Sequence, residues 1–209
     1  MFGIVNFGAF ITAALILNIT PGADTIYILS KSAVGGRRQG VASTLGVSTG
    51  ILVHTVLAAF GLSAILAAST VAFNVVKMLG AAYLIFLGVR TIIKKEPLFA
   101  KSQNGGESFL KVYGQGVLTN VLNPKAALFF LTLLPQYVSP DSTYGPLPFL
   151  LLGLTFVCTS TCWCLVLAYF SSFISGLLSR SERVGSIANK VSGCVYIALG
   201  LNVLRANSD

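Results

Sequence analysis

Acidic side chains are nearly missing from this sequence. Asp and Glu number 6 in 209 residues, and with 14 Lys and Arg the charged fraction is only 10%. A globular domain carries about 25%, so too little charge is present to cover a water-facing surface, and soluble or disordered classes fit poorly. Histidine occurs once, and the four cysteines form no C-x-x-C pair, which removes the usual ligand sets of a metal centre. Cys158, Cys162, Cys164 and Cys194 all lie in apolar stretches and read as packing residues, as does Trp163. The single histidine has no evident serine–acid partnership, so no enzyme and no cofactor are expected. The loop Gly35-Gly36-Arg37-Arg38-Gln39-Gly40 lacks the lysine–hydroxyl pair of a P-loop and reads as a cytoplasmic turn. The alternating ten-residue segments of a membrane barrel are absent too.

What fills the chain instead is apolar sequence, 55% of all residues. It falls into stretches at about Phe7–Leu29, Val41–Leu66, Val71–Ile93, Gly114–Val138, Leu147–Ile174 and Val184–Leu204, each 21 to 28 residues long. A helix of about 20 residues crosses the hydrocarbon. The expected fold is therefore all-α: a polytopic membrane protein of six transmembrane helices in one transmembrane domain. The net charge of +8 could suggest nucleic acid, but ten of the basic residues gather in alternate loops. These are Lys31, Arg37 and Arg38; Arg90, Lys94, Lys95, Lys101 and Lys111; and Arg180 and Arg183. The connections near Ala68–Thr70 and Ser139–Pro146 have none. Such alternation places the basic loops in the cytoplasm and both termini outside, with a lipid bilayer rather than nucleic acid as partner. No Lys or Arg precedes the first span, so it lacks the basic lead of a cleaved signal peptide.

An internal repeat divides the domain. Lys77-x-x-Gly80-x-x-Tyr83 recurs as Lys190-x-x-Gly193-x-x-Tyr196, each followed by Leu-Gly. The first span is interrupted at Asn18-Ile-Thr20-Pro21-Gly22-Ala-Asp24 and the fourth at Asn120-Val-Leu-Asn123-Pro124-Lys125. Repeat 1 covers about 1–93, a loop 94–113, and repeat 2 about 114–209. Three spans per half is odd, so the halves are expected to be inverted, with helices 1 and 4 broken.

Proline removes a helical donor, and a break inside hydrocarbon is tolerated only where protein or a water-filled cavity surrounds it. Paired breaks in inverted halves point to a central transport site. Either proline alone could simply kink a helix for packing; Asp24 and Lys125 beside the breaks favour a site, because charge at mid-membrane is costly. Lys125 and the N–H groups after Pro124 suit a carboxylate, and Asp24 suits an ammonium group. Asn18, Thr20, Asn120 and Asn123 add neutral hydrogen bonds, and Pro21, Gly22 and Pro124 shape the backbone. A small zwitterion such as an amino acid answers both ends; an Asp24–Lys125 salt bridge that only locks the halves together is the plainer alternative. Gly46, Gly50 and His54 share one helix face, which lets another helix approach closely. His54, the mid-membrane imidazole, is a candidate for proton coupling beside Asp24, with a structural role as the alternative. Tyr83 and Tyr196 support packing or line the pathway.

Several segments together resemble the LysE/RhtB family of amino-acid exporters over nearly the whole chain. They are Asn18-x-x-Pro21-Gly22-x-Asp24, Gly36-Arg37-Arg38-x-Gly40, Gly50-x-x-x-His54, Lys77-Met-Leu-Gly80-Ala-Ala-Tyr83-Leu, Asn123-Pro124-Lys125-Ala126-Ala127-x-Phe129-Phe130 and Pro135-Gln136-Tyr137. The resemblance implies a bacterial inner-membrane exporter of amino acids such as lysine, arginine, threonine, homoserine or leucine, using the proton motive force. Ala23 departs from the family, which usually has a second proline there. The reading that follows is a secondary transporter exporting a small amino acid by proton antiport and alternating access, with a homodimer compatible with its small-residue faces. A membrane thiol or redox carrier, or a cation transporter of related architecture, is the alternative. The thiol carrier would need cysteines near both breaks, and neither interrupted segment contains one.

Overall fold

A computed structural model describes residues 2–64, 69–93, 107–171 and 182–205. Among them the secondary structure is helical, apart from one isolated antiparallel bridge between Ile4 and Val138. Most of the loop 94–113, the connection at 65–68 and Arg180 lie outside the described residues.

Helix α1, Phe7–Ile19, stops where proline requires it. The residue before a proline is pushed from helical to extended backbone, and Thr20 has ψ 119°. After Pro21 and Gly22 the chain resumes as α2, Ala23–Leu57. Ala23 takes the first helical position, so the break is complete without a second proline. α2 reverses at Gly36, whose φ of 66° and ψ of −166° suit glycine alone. The reversal is visible in the packing, because a Cβ on Gly40 would lie 2.5 Å from Ser32 Oγ. In a straight helix those positions are about 12 Å apart. The expected turn is thus present but shorter than a loop, with Arg37 and Arg38 already in the returning helix, which ends in a π-turn at Ala58–Leu62.

Helix α3 is Thr70–Ile93 and α4 is Phe109–Val121. Asn123, extended at ψ 112° before Pro124, caps α5, Pro124–Leu128, by accepting from Lys125 N at 3.0 Å. A π-turn at Phe129–Leu133 and a 3-10 turn at Leu134–Tyr137 continue α5, and the path bends by 47° between α4 and this unit. The chain closes with α6, Leu147–Tyr169, and α7, Glu182–Arg205.

By length and composition Ala23–Leu62, which doubles back at Gly36, and Leu147–Tyr169 are long and apolar enough to cross a membrane, and Phe109–Tyr137 joins them if its bent pair is one span. α1 alone, with 13 residues, reaches only about 20 Å of the roughly 30 Å required. Burial runs opposite to that of a water-soluble protein. Leu110 (75% exposed) and Leu122 (70%) stand on the outside with Ile19, Phe60 and Leu79, while Asn120, Asn123, Ser43, Thr44 and His54 are buried. An apolar exterior around a polar centre is stable in lipid, where exposed hydrocarbon costs nothing and internal polar groups pair with each other.

Small residues let the backbones meet. A Cβ on Gly46 would come 2.2 Å from Tyr113 O, one on Gly50 2.6 Å from Asn120 Cβ, and one on Gly88 2.7 Å from Gly193 O. The face Gly46–Gly50–His54 therefore does receive a neighbour, α4. An aromatic cluster holds the centre, with Phe129 stacked on Phe156 at 4.1 Å and Phe10 and Phe130 beside them.

Two ends can be distinguished. At one, Val5 N donates to Tyr137 O at 2.9 Å and Ser139 N to Gly3 O at 2.8 Å. At the other, Lys31 and Lys111 pair with Glu107, Gln39 Nε2 donates to Glu107 O at 3.0 Å, and Arg37 lies over the Tyr169 ring. The Lys31 hydrogen bond holds the Glu107 carboxyl below the usual carboxylate range, with Lys111 adding to it. Basic residues from the Gly36 turn and from the start of α4 thus share one end.

Candidate functional site

A proline at position i cannot donate to the carbonyl at i−4. Pro21 therefore orphans Leu17 O, and Pro124 orphans Asn120 O. The structure fills both vacancies with side chains from the other half of the chain. Lys125 Nζ donates to Leu17 O at 3.2 Å and to Thr20 O at 2.9 Å. His54 Nε2 lies 3.2 Å from Asn120 O, an arrangement that needs the ring proton on Nε2. The turn bond from Asn123 N, at 2.9 Å, supplements it. An ammonium group at the carboxyl end of α1 also meets the negative end of that helix dipole. Gly22 makes room for it, because a Cβ there would lie 3.2 Å from Lys125 Nζ.

Asp24 stands at the start of α2, opposite. Its Oδ2 accepts from Asn120 Nδ2 at 3.0 Å and from Asn123 Nδ2 at 2.7 Å. Asn123 so serves both halves, capping α5 with its oxygen and holding Asp24 with its nitrogen. Among the described residues no ion pair joins Asp24 to Lys125: the amides take the carboxylate and the carbonyls take the ammonium.

Between these groups lies a pocket lined by Leu17, Asn18, Asp24, Thr25, Ile51, Asn120, Lys125, Ala126, Phe156, Ser160, Trp163 and Cys164. Its cavity volume is only about 20 Å³, room for a water or two, so a substrate fits only when the walls part. Asp24 Oδ1, Asn120 Oδ1 and Trp163 Nε1 are buried at or beside it with no hydrogen-bond partner among the described residues. Buried polar atoms are rarely left so, and each costs about 1–3 kcal/mol. Two acceptors and one donor around one space are what a small ligand carrying both a cation and an anion would satisfy.

The predicted residues sort as follows. Asn18, Asp24, Asn120 and Lys125 line the pocket, with Asn18 Nδ2 donating to Thr159 Oγ1 at 3.2 Å. Thr20, Pro21, Gly22, Asn123 and Pro124 form its two backbone breaks. His54 sits behind Asn120, stacked on Phe130 with ring centroids 5.6 Å apart. Tyr196, 4% exposed, points its hydroxyl at Pro21 O, 3.4 Å away. Tyr83, in the matching frame, is 42% exposed and rests against Phe86, outside the pocket lining.

Helix α6 supplies the wall that the sequence reading left to packing. Phe156, Ser160, Trp163 and Cys164 follow the spacing of one helical face. A serine and the sole tryptophan on a common face of an apolar span were the available signal. Cys164 brings one thiol to the pocket, and no second cysteine lines it; Cys158, Cys162 and Cys194 are exposed.

Three comparisons bear on this site. The family model described as LysE type translocator matches residues 15–207. An uncharacterised membrane protein of Vibrio cholerae serotype O1 is 29% identical over 202 residues, covering 96% of this chain and 97% of that protein. The uncharacterised membrane protein YrhP of Bacillus subtilis is 30% identical, covering 92% and 95%. A leucine efflux protein of Salmonella choleraesuis is 23% identical, covering 99% of this chain and 98% of that protein. No solved structure matches.

Proposed function

The chain belongs to the LysE type translocator family, and from that premise we propose that it exports a small, uncharged amino acid in exchange for protons. The observation that carries this reading is the pair of unpartnered acceptors, Asp24 Oδ1 and Asn120 Oδ1, on residues that line a pocket between two proline breaks. An ammonium group supplies the donors they lack. Leu17, Ile51, Ala126 and Phe156 give the lining an apolar part for the side chain to meet once the walls part, and among the described residues Asp24 is the one carboxylate there, which favours a substrate such as leucine over lysine or arginine. The relative whose name records leucine efflux agrees with that choice.

Asp24 is the coupling group. Its Oδ2 is committed to two amides, so its other oxygen holds either the substrate ammonium or a proton. Substrate leaves outward, a proton takes its place, and the site returns to the cytoplasm to exchange it. His54, one contact behind through Asn120, shares this task by tying the break in the second half to the first. Alternating access is carried by two inverted three-span halves, about 1–93 and 114–209, rocking around the breaks. Each broken span is completed by its second half: residues 7–19 and 23–35 together reach about 40 Å. The basic end around Lys31, Arg37 and Lys111 faces the cytoplasm of a bacterial inner membrane, with both termini outside.

The test is uptake of radiolabelled amino acids into inverted vesicles energised to an acidic interior. Accumulation of leucine or another uncharged amino acid that collapses with the proton gradient is expected. Asp24→Asn should abolish the gradient-driven part. Transport indifferent to the gradient would refute antiport, and normal transport by Asp24→Asn would refute the site.

A further inference from the structure

Lys125 is the obvious partner for a substrate carboxylate, yet its geometry argues against that as its main task. Its ammonium is 8% exposed with the rest of the residue and donates to Leu17 O and Thr20 O, closing the gap that Pro21 opens. Two of its three N–H groups are spent on backbone. The opposite wall presents an uncommitted donor. Trp163 Nε1 is buried without an acceptor among the described residues, and Trp163 is one of the residues that line the pocket. Indole N–H can only donate, so nothing but an incoming acceptor satisfies it.

We infer that Trp163 is a substrate-binding residue whose indole N–H receives the carboxylate of the amino acid. This inference rests on the reading of the pocket as an amino-acid site and extends it. The orphaned atoms are divided by wall. The acceptors, Asp24 Oδ1 and Asn120 Oδ1, belong to α2 and α4 at the breaks, and the donor belongs to α6. Ser160, which also borders the pocket, adds a hydroxyl whose partner among the described residues is the Cys164 thiol, at 4.0 Å. A zwitterion lying across the pocket, ammonium toward the breaks and carboxylate toward α6, satisfies both walls together. It also links α2 and α4 to α6 across the pocket, whereas an amine or an acid alone joins only one wall.

Trp163 is the sole tryptophan in the chain, and its fluorescence reports on its own ring. The experiment titrates the full-length protein in lipid nanodiscs with L-leucine, L-leucinamide and 4-methylpentanoate, following emission, and repeats the leucine titration with each other amino acid that the vesicles export. A saturating emission shift with leucine or the exported amino acid is expected, with leucinamide at least ten-fold weaker because it lacks the carboxylate. Trp163→Phe keeps the ring face and removes the donor. Its transport KM should rise roughly ten-fold or more, the loss expected for one hydrogen bond to a charged group, and its preference for carboxylate over carboxamide should fall away. If Trp163→Phe does not fold, replacement of the single tryptophan by its benzothiophene analogue, which has sulfur where the N–H was, makes the same test. Unchanged KM and unchanged carboxylate preference in either variant overturn the inference while leaving amino-acid export standing. So does an emission that the exported amino acid leaves unaltered. Failure of the unmodified protein to move any amino acid overturns the amino-acid site itself, and this inference with it.

Discussion

Replacing Lys125 with methionine separates two roles that the same side chain could play. A residue that only binds substrate can be truncated without cost to the empty protein. A residue that closes a backbone gap cannot. Methionine matches the length of the stem but donates nothing, so Leu17 O and Thr20 O lose their bonds to Nζ at 3.2 and 2.9 Å. Leu17 O has no helical substitute, because the residue four positions on is Pro21. At about 1–3 kcal/mol for each buried carbonyl left unpaired, the loss is about 2–6 kcal/mol. Losing the nearby cation adds to it, although the two amide bonds to Asp24 limit that part. Against a typical stability of about 5–15 kcal/mol the effect is large. For a chain of this size it corresponds to about 4–24 °C in melting temperature. Thermal unfolding of the purified protein in detergent, without substrate, followed by Trp163 fluorescence, measures it. Adding Asp24→Asn should recover part of the loss, since the carboxylate then no longer lacks its countercharge. A Lys125→Met protein that melts within about 1 kcal/mol of the original, while its transport KM rises, would refute the capping role and return Lys125 to the substrate.

Three further outcomes follow from the packing and the charges. Gly46→Ala places a methyl 2.2 Å from Tyr113 O and should destabilise by about 1–3 kcal/mol, whereas Gly114→Ala, on the same α4 but with open space around it, should be neutral or stabilise by up to about 1 kcal/mol; equal melting temperatures would mean that α2 and α4 do not approach so closely. His54→Leu removes the side-chain donor to Asn120 O, and should cost about 1–3 kcal/mol while slowing transport; His54→Gln, which keeps an N–H, should recover part of the stability, and a failure of Gln to outperform Leu would remove the carbonyl from the account. Glu107 binds its proton less readily when folded than unfolded, so its pairing with Lys31 stabilises above the ordinary carboxyl value near 4.5 and is lost as pH falls through the lowered folded value. The melting difference between the original protein and Glu107→Gln should be flat from pH 6 to 8 and shrink below about pH 4.5; a difference that grows in acid would contradict the sign.

Much of the frame is readable because its causes lie within a few residues. Thr20 and Asn123 are extended since each precedes a proline, and both breaks occur where Pro21 and Pro124 stand. Gly36 takes a backbone angle closed to other residues, and the chain turns there. The face Gly46–Gly50–His54 follows from helical period alone, as does the expectation that something packs against it. Even the orphaned carbonyls, Leu17 O and Asn120 O, can be counted from the prolines before any coordinate is seen.

Which groups answer those orphans is another matter. Lys125 and Leu17 are 108 positions apart, and His54 and Asn120 are 66 apart. Pairing at that distance depends on how the helices cross, and the crossings depend on close contacts such as Gly46 against Tyr113. Tyr83 and Tyr196 occupy the same frame, yet one rests on the outside and the other reaches Pro21 O. The face of α6 is hidden for a related reason. Lipid is as apolar as a protein interior, so an apolar helix carries no mark of which side turns inward, and Trp163 looks like any other packing residue. The sequence by itself therefore determined where the helices stop and which backbone groups are left wanting, through sterics and missing donors between near neighbours. Only the tertiary structure decided which side chains fill those places and which stay unfilled around the pocket, because that choice is made by packing between helices about a hundred residues apart, in a solvent that does not distinguish inside from outside.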